Sequence, residues 1–218
     1  MVKIYLLLVV VVILSSCSKT NDEMSIKNQD DLLKWMSNEE SGLVKKKYVN
    51  DLEIKVKYLP KSYLINNEIS NQNLSDAQKK EIEKDYENSL TFMLSINPDQ
   101  RFDKKGGDII YKDISDYKGY KERIYDLNFQ IEEFISISAD GYLFSPVLSS
   151  FENCYGLKEG RDFIFVFVPE NEDRKELFTA DKLDFVFEDE FFNTGTNHFI
   201  FKREDINKVD NISISNNI

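Results

Sequence analysis

Asp162-Phe163-Ile164-Phe165-Val166-Phe167-Val168 is the most apolar stretch of the chain beyond its N-terminal leader. Phe163, Phe165 and Phe167 fall on one face of an extended backbone, and Ile164, Val166 and Val168 on the other. Because successive strand side chains point to opposite faces, a run apolar on both predicts a central strand covered on both sides. Such a strand needs a sheet around it, and the flanking sequence supplies the partners. Leu183, Phe185 and Phe187 alternate with Asp184, Val186 and Glu188, and Asn193-Thr194-Gly195-Thr196-Asn197 turns the chain into a last strand over residues 198–202. Upstream, residues 142–147 return through the Asp140-Gly141 turn onto a strand expected over 127–138, and 149–155 are expected to continue as another.

Toward the N-terminus, residues 90–96 read as a strand ended by Asn97-Pro98-Asp99, and 43–48 with 52–58 as a hairpin around Val49-Asn50-Asp51. In its second arm Leu52, Ile54, Val56 and Tyr58 alternate with Glu53, Lys55 and Lys57, so one side is buried and the other wet. Helices are expected from Asp30 as cap through Met36, from Ser75 as cap through about Asn88, and over 115–126. Trp35, at helical spacing with Leu32 and Met36, reads as a core plug. The polar stretch 62–73 shows neither period. The pattern predicts an α+β fold with an antiparallel, sandwich-like core and two or three packed helices.

Residues 4–14 form an unbroken apolar run behind Lys3. The run is shorter than the roughly 20 residues a membrane-spanning helix needs, and it fits the apolar region of an export signal. Leu14-Ser15-Ser16-Cys17 closes it with an aliphatic residue, two small ones and a cysteine. This resembles the lipobox of bacterial lipoproteins. The resemblance implies cleavage before Cys17 and attachment of a diacylglycerol thioether to its sulfur, leaving an acylated N-terminus. An uncleaved anchor or an ordinary secretory signal is the alternative. The chain then divides into a signal peptide (1–16), a polar tether (17–25), one globular domain (26–208) and a frayed tail (209–218).

Lys3 is the only charge in the leader, so the mature part carries 27 basic against 39 acidic side chains, a balance of −12. That argues against general nucleic-acid binding, which needs a basic surface to displace counterions from phosphate. With Cys17 given to lipid, Cys154 has no partner within the chain, and stability must come from packing.

The residues that could carry chemistry are few. His198 is the only histidine, and no Cys-x-x-Cys pair is present, so neither a transition metal nor another cofactor is expected. A triad would have to use His198 as base with Cys154 or a serine as nucleophile, yet G-x-S-x-G, P-loop and G-x-G-x-x-G patterns are missing. Asp184 and Glu188 fall on one strand face about 13 Å apart, too far for a close acid/base pair. Asp99, Asp103 and Asp108 around Gly106-Gly107 offer oxygens for calcium, but their spacing does not fit the EF-hand, and a solvated charged loop is the expectation. Lys45, Lys46, Lys47, Lys55, Lys57 and Lys61 are the one basic concentration, a candidate interaction patch or simply lysines protecting an edge strand.

Asn38-Glu39-Glu40-Ser41-Gly42-Leu43, residues 52–60 and Phe151-Glu152-Asn153-Cys154-Tyr155-Gly156-Leu157 resemble small uncharacterised lipoproteins of Bacteroidota-type bacteria, a likeness that implies a compartment and no activity. Asp22 and Glu23 resemble the surface-export signal of such lipoproteins, with Thr20 and Asn21 separating them from Lys19. The expectation is a non-enzymatic binding or interaction domain held at the cell envelope, at the outer membrane, by lipid on Cys17, with an envelope protein as partner and no nucleic acid. Whether it faces the periplasm or the cell surface stays open. An envelope hydrolase using carboxylates, or an immunity protein against a secreted toxin, are the alternatives.

Overall fold

The structure, a computed structural model, describes residues 26, 28–70, 72–101, 107–152, 158–169, 171 and 174–210. In chain order these form α1 (Gln29–Ser37), β1 (Val44–Val49), β2 (Leu52–Leu59), α2 (Lys61–Ser70), α3 (Asp76–Glu87), β3 (Leu90–Pro98) and α4 (Tyr117–Phe129). There follow β4 (Ile135–Ala139), β5 (Tyr142–Phe144), β6 (Leu148–Glu152), β7 (Arg161–Phe167), α5 (Glu176–Thr179), β8 (Lys182–Asp189), β9 (Gly195–Lys202) and α6 (Arg203–Asp210). One sheet has the order β1-β2-β3-β7-β6 and the other β5-β4-β8-β9, every pairing antiparallel. The fold is α+β with a sheet-rich core, as the period-two segments predict, but with six α-helical segments among the described residues rather than two or three.

The register of β7 explains the core. Leu90, Phe92 and Leu94 of β3 sit opposite Phe167, Phe165 and Phe163, so all six side chains share one face. On the second sheet, Leu183 and Phe185 sit opposite Phe201 and Phe199, and Phe185 also opposite Ile137. These faces meet through rings: Phe92 lies 5.6 Å from Phe185 and 5.1 Å from Phe201, and Phe185 lies 6.3 Å from Phe165 and 6.2 Å from Phe167. β7 is an interior strand as expected, but the cover is unequal: its phenylalanines are fully buried while Ile164 and Val166 are half-buried.

Several expected boundaries move. Asn28, not Asp30, caps α1, its side chain accepting from Asp31 N, while Ser75 caps α3 in a capping box with Gln78 as the spacing predicts. The stretch read as a strand from 127 begins as the end of α4 and a 3-10 turn over Ile131–Phe134. Leu127, Ile131 and Ile135 are buried at steps of four, a helical interval, and extension starts only at Ile135. β5 stops at Phe144, ahead of Pro146, whose missing N–H cannot join a ladder, and β6 begins at Leu148. The polar stretch after Pro60 is a helix, α2. Asn193-Thr194 forms the turn into β9, which starts earlier than expected, at Gly195.

Residues 209 and 210, expected in the tail, belong to α6, where Val209 is fully buried and Asp210 is anchored. The Tyr58 hydroxyl donates to Asp210 Oδ2 at 2.7 Å, and the Lys61 backbone N–H reaches Oδ1 at 3.4 Å. Gly42, at φ +78°, closes the corner after α1, and the Asp205 side chain occupies the space a Cβ would need there.

Two outcomes follow for stability. Phe185→Ala should cost about 3–5 kcal/mol in denaturant unfolding, whereas Ile200→Ala, on the open face of the adjacent strand, should stay within about 0.5 kcal/mol. Burial pushes the Asp210 carboxyl above its usual 3.8, against the Tyr58 hydroxyl, Lys61 and Arg203, which pull it down. A carboxyl raised in the folded state adds stability that is complete below 3.8 and is lost as pH climbs through the folded value. The melting midpoint of the parent relative to Asp210→Asn should therefore rise as pH falls through that window. A flat difference would overturn the assignment.

Candidate functional site

Helix α4 carries two sets of apolar residues. Tyr120, Ile124 and Leu127 turn inward, continued by Ile131, as a helix packed on a core requires. Tyr117, Tyr125 and Phe129 form a second set, spread over about 120° of the helix circumference, and they are 72%, 56% and 67% exposed. Tyr111, from the 3-10 turn Ile109–Tyr111, joins them at 58%. The Tyr111 and Tyr120 rings stack at 5.1 Å and 14°, Tyr117 stacks on Tyr120 at 6.2 Å and 20°, and Tyr125 meets Phe129 at 5.1 Å. The result is an exposed aromatic strip in two groups, one of Tyr111, Tyr120 and Tyr117 and one of Tyr125 and Phe129, beside two shallow clefts. One of 370 Å³ lies against Tyr111, Ile114, Tyr117 and Tyr120; the other, of 620 Å³, lies against Tyr120, Ile124, Tyr125 and Phe129.

The base of the strip is fixed by polar contacts. Asp116 caps α4, Oδ1 accepting from Gly119 N at 2.8 Å, and Asp108 caps the 3-10 turn by accepting from Ile110 N at 2.9 Å. Asp108 also takes the buried Arg161 guanidinium at the start of β7, and Ile109 N donates to Glu159 O at 2.9 Å. Lys112 reaches Asp51 in the β1–β2 turn at 2.7 Å, and the Lys112 ammonium holds that carboxyl below its usual value. The strip thus rests on two separate parts of the first sheet, the start of β7 and the β1–β2 turn.

The six lysines do not form one patch. Lys46 and Lys55 are opposite each other on the outer face of the first sheet, with Lys57 two residues along; burial, then Lys55, pull the Lys57 ammonium down. Lys46 pairs with Glu39 at 2.7 Å. Lys45 and Lys47 point the other way, their ammonium groups over Phe201 and Phe199 at 5.9 and 5.6 Å, where β1 meets β9. Lys61 begins α2 beside Asp210.

His198 Nδ1 lies 2.8 Å from Asp184 Oδ2 on the open face of the second sheet, with the imidazole about half exposed. The cross-strand partner of His198 is Val186 and that of Asp184 is Ser138, so the carboxylate, not the imidazole, lies between serine and histidine. That order is the wrong one for a triad, in which the base must touch both neighbours. Glu188 lies on the same outer face of β8, which is exposed there.

A further cleft of 520 Å³ opens between Tyr48 and Glu53 on one side and Asn97, Asp99, Arg101 and Gly160 on the other. Two of its charges, Arg101 and Asp99, are spent on each other. Arg101 grips the buried Asp99 carboxylate with Nε at 2.9 Å and Nη2 at 2.6 Å and lies 3.4 Å over the Tyr48 ring, holding Asp99 below its usual range. Of the aspartates offered for calcium, Asp99 and Asp108 are each taken by an arginine, and Asp103 lies outside the described residues. Among the described residues no cluster of three or more metal-binding side chains occurs. Leu14, Ser15, Ser16, Cys17 and Cys154 also lie outside them. Trp35 is half-buried against the core.

No protein-family model matches the chain, and no curated protein is significantly similar to it. One solved structure, the crystal structure of a novel protein of unknown function from Burkholderia pseudomallei, covers 82% of this chain and 87% of its own at 8% identity, with a TM-score of 0.37.

The second set on α4 is surplus to the core, and that has a measurable consequence. Tyr117→Ala and Phe129→Ala should each shift unfolding by no more than about 0.5 kcal/mol, as exposed positions do. Tyr120→Ala, which removes the ring between Tyr111 and Tyr117, should cost clearly more in the same denaturation experiment.

Proposed function

We propose that this chain is a lipid-anchored cell-envelope protein whose folded part is a non-catalytic binding domain. The observation that carries the reading is the aromatic strip: a soluble surface exposes large contiguous apolar groups chiefly where something docks. The rings are held in fixed stacks on a helix that is itself tied to the first sheet, so little order has to be imposed on them at binding.

The address comes from Leu14-Ser15-Ser16-Cys17 and the apolar run before it. The acyl chains such a cysteine carries hold a protein stably, where one chain alone is marginal. A hydrolase reading has the His198–Asp184 pair to stand on, but that pair lies on an open strand face with its members in the wrong order relative to Ser138.

The test of the anchor is metabolic labelling with radioactive palmitate. The parent protein should take up label and fractionate with membranes, and Cys17→Ser should do neither. Equal labelling of the two, or none of the parent, would overturn the envelope address.

A further inference from the structure

We propose that Lys57 is a nucleophilic amine that captures an anionic aldehyde or 2-oxo acid as an imine, with Lys55 holding the anionic group. The site lies on the outer face of the first sheet, away from α4, and does not depend on the aromatic strip or on the envelope address.

Strand register builds it. On that face Lys55 lies between Lys46 and Ser95, with Asp162 beyond Ser95; one step along, Lys57 lies between Val44 and Met93, with Ile164 beyond Met93. Val44 is 4% exposed, and Met93 packs against the core. The Lys57 stem is therefore flanked by apolar groups on both neighbouring strands. Lys55, two residues away on the same face, puts a second ammonium about 7 Å along β2.

Among the described residues no carboxylate forms an ion pair with either lysine. Lys46, by contrast, reaches Glu39 at 2.7 Å, and the one acid that acts on Lys57, Asp162, is taken by Lys158 at 3.0 Å. An ammonium among apolar side chains, beside a like charge and without a counter-ion, is disfavoured against its neutral amine. Burial first and Lys55 second accordingly hold Lys57 below its usual 10.5, against the pull of Asp162. The neutral amine is the nucleophile, and a desolvated lysine beside another cation supplies it near neutral pH. Lys57 is half-buried, so a small molecule can still reach it.

The two lysines then have different roles. Lys55 stays charged and pairs with a carboxylate or phosphate, while the Lys57 lone pair adds to the carbonyl carbon. One amine proton passes to the carbonyl oxygen, giving a carbinolamine. That oxygen leaves as water with the second amine proton, and a C=N bond remains. One amine and one carbonyl give one imine and one water, with no change of oxidation state.

The experiment is competitive labelling of the full acylated protein in detergent at neutral pH. Limiting pyridoxal 5′-phosphate is compared with the uncharged pyridine-4-carboxaldehyde, imines are trapped with borohydride, and sites are quantified by peptide mass spectrometry. Pyridoxal phosphate should label Lys57 about tenfold faster than the exposed Lys118. Excess inorganic phosphate should slow that labelling, and the uncharged aldehyde should show a smaller preference. Lys55→Gln should slow labelling of Lys57 about tenfold without moving the melting curve, and Lys57→Arg should remove the label from this position. Label spread over the exposed lysines with no excess at Lys57, or an unchanged rate in Lys55→Gln, would overturn the proposal. An equal preference with both aldehydes would overturn the anionic class of the substrate.

Discussion

The contact between Phe92 and the opposite sheet is the constraint on which the remaining structure depends. Its ring meets Tyr58 at 5.3 Å and Phe167 at 6.1 Å within its own sheet, and Phe185 and Phe201 across the gap. Rings that reach across an intersheet space of about 10 Å do so only if both sheets present them in the right register. A one-residue slip of β7 would carry Phe163, Phe165 and Phe167 to the outer face and bring Asp162 inward. The aromatic core therefore sets strand register as well as supplying burial energy, and the antiparallel ladders inherit their alignment from it.

Around this core, the inward-facing positions at the rims are polar, and each is tied. Lys45 and Lys47 lay their stems along the β1–β9 seam and place their charge over rings. Arg161 reaches Asp108 and donates to the carbonyls of Lys158 and Gly160. Asp189 accepts from the N–H groups of Phe191, Phe192 and Thr194, shaping the β8–β9 turn, whose Asn193 carbonyl accepts from Asn50 Nδ2 in the turn of the other sheet. Arg203 donates to the carbonyls of Ala180 and Leu177, joining the start of α6 to the corner before β8. With the rims closed this way and the inner row of α4 filling the remaining side, burial places no demand on Tyr117, Tyr125 or Phe129. Their exposure is a property of the surface, not a defect of the core.

What was legible in the sequence follows from which signals are local. Strands β2 and β8 alternate with period two because one face of each meets the core, and the alternation gives their faces directly, whereas β7 is apolar on both faces and only its burial shows that the phenylalanine side is the inner one. Helix α2 buries none of its residues fully, so it leaves no apolar stripe to read. Helix α6 is polar by composition, and only the burial of Arg203, Ile206 and Val209 at steps of three, a tertiary fact, makes it part of the fold. The lysines divide between two faces for a reason the sequence did contain: in an extended strand, Lys45 and Lys47 must oppose Lys46. Part of the strip on α4 was also visible in principle, since placing a helix over 115–126 puts Tyr125 off the row of Ile124 and Leu127, while Tyr117, seven residues before Ile124, falls near that row. An apolar row wider than one helix face is the sign that a helix has a second surface to cover.

A weakly binding surface and a lipid anchor make physical sense together. Stacking on single rings contributes about 0.5–1.5 kcal/mol each, too little for tight capture by one domain in solution. In the lipid-anchored reading, the nine residues from Cys17 to Ser25 can span at most about 30 Å, so the domain is confined to a thin layer above the bilayer. In the same reading, neighbouring copies in that layer meet a shared partner together, and each contact after the first is made at high effective concentration. On that reading the net negative charge works in the same direction, because repulsion from anionic headgroups would keep the domain from lying down on the lipid. On that reading the acidic body would be pushed off the membrane, and the charge-balanced aromatic strip would be the part left to make contact.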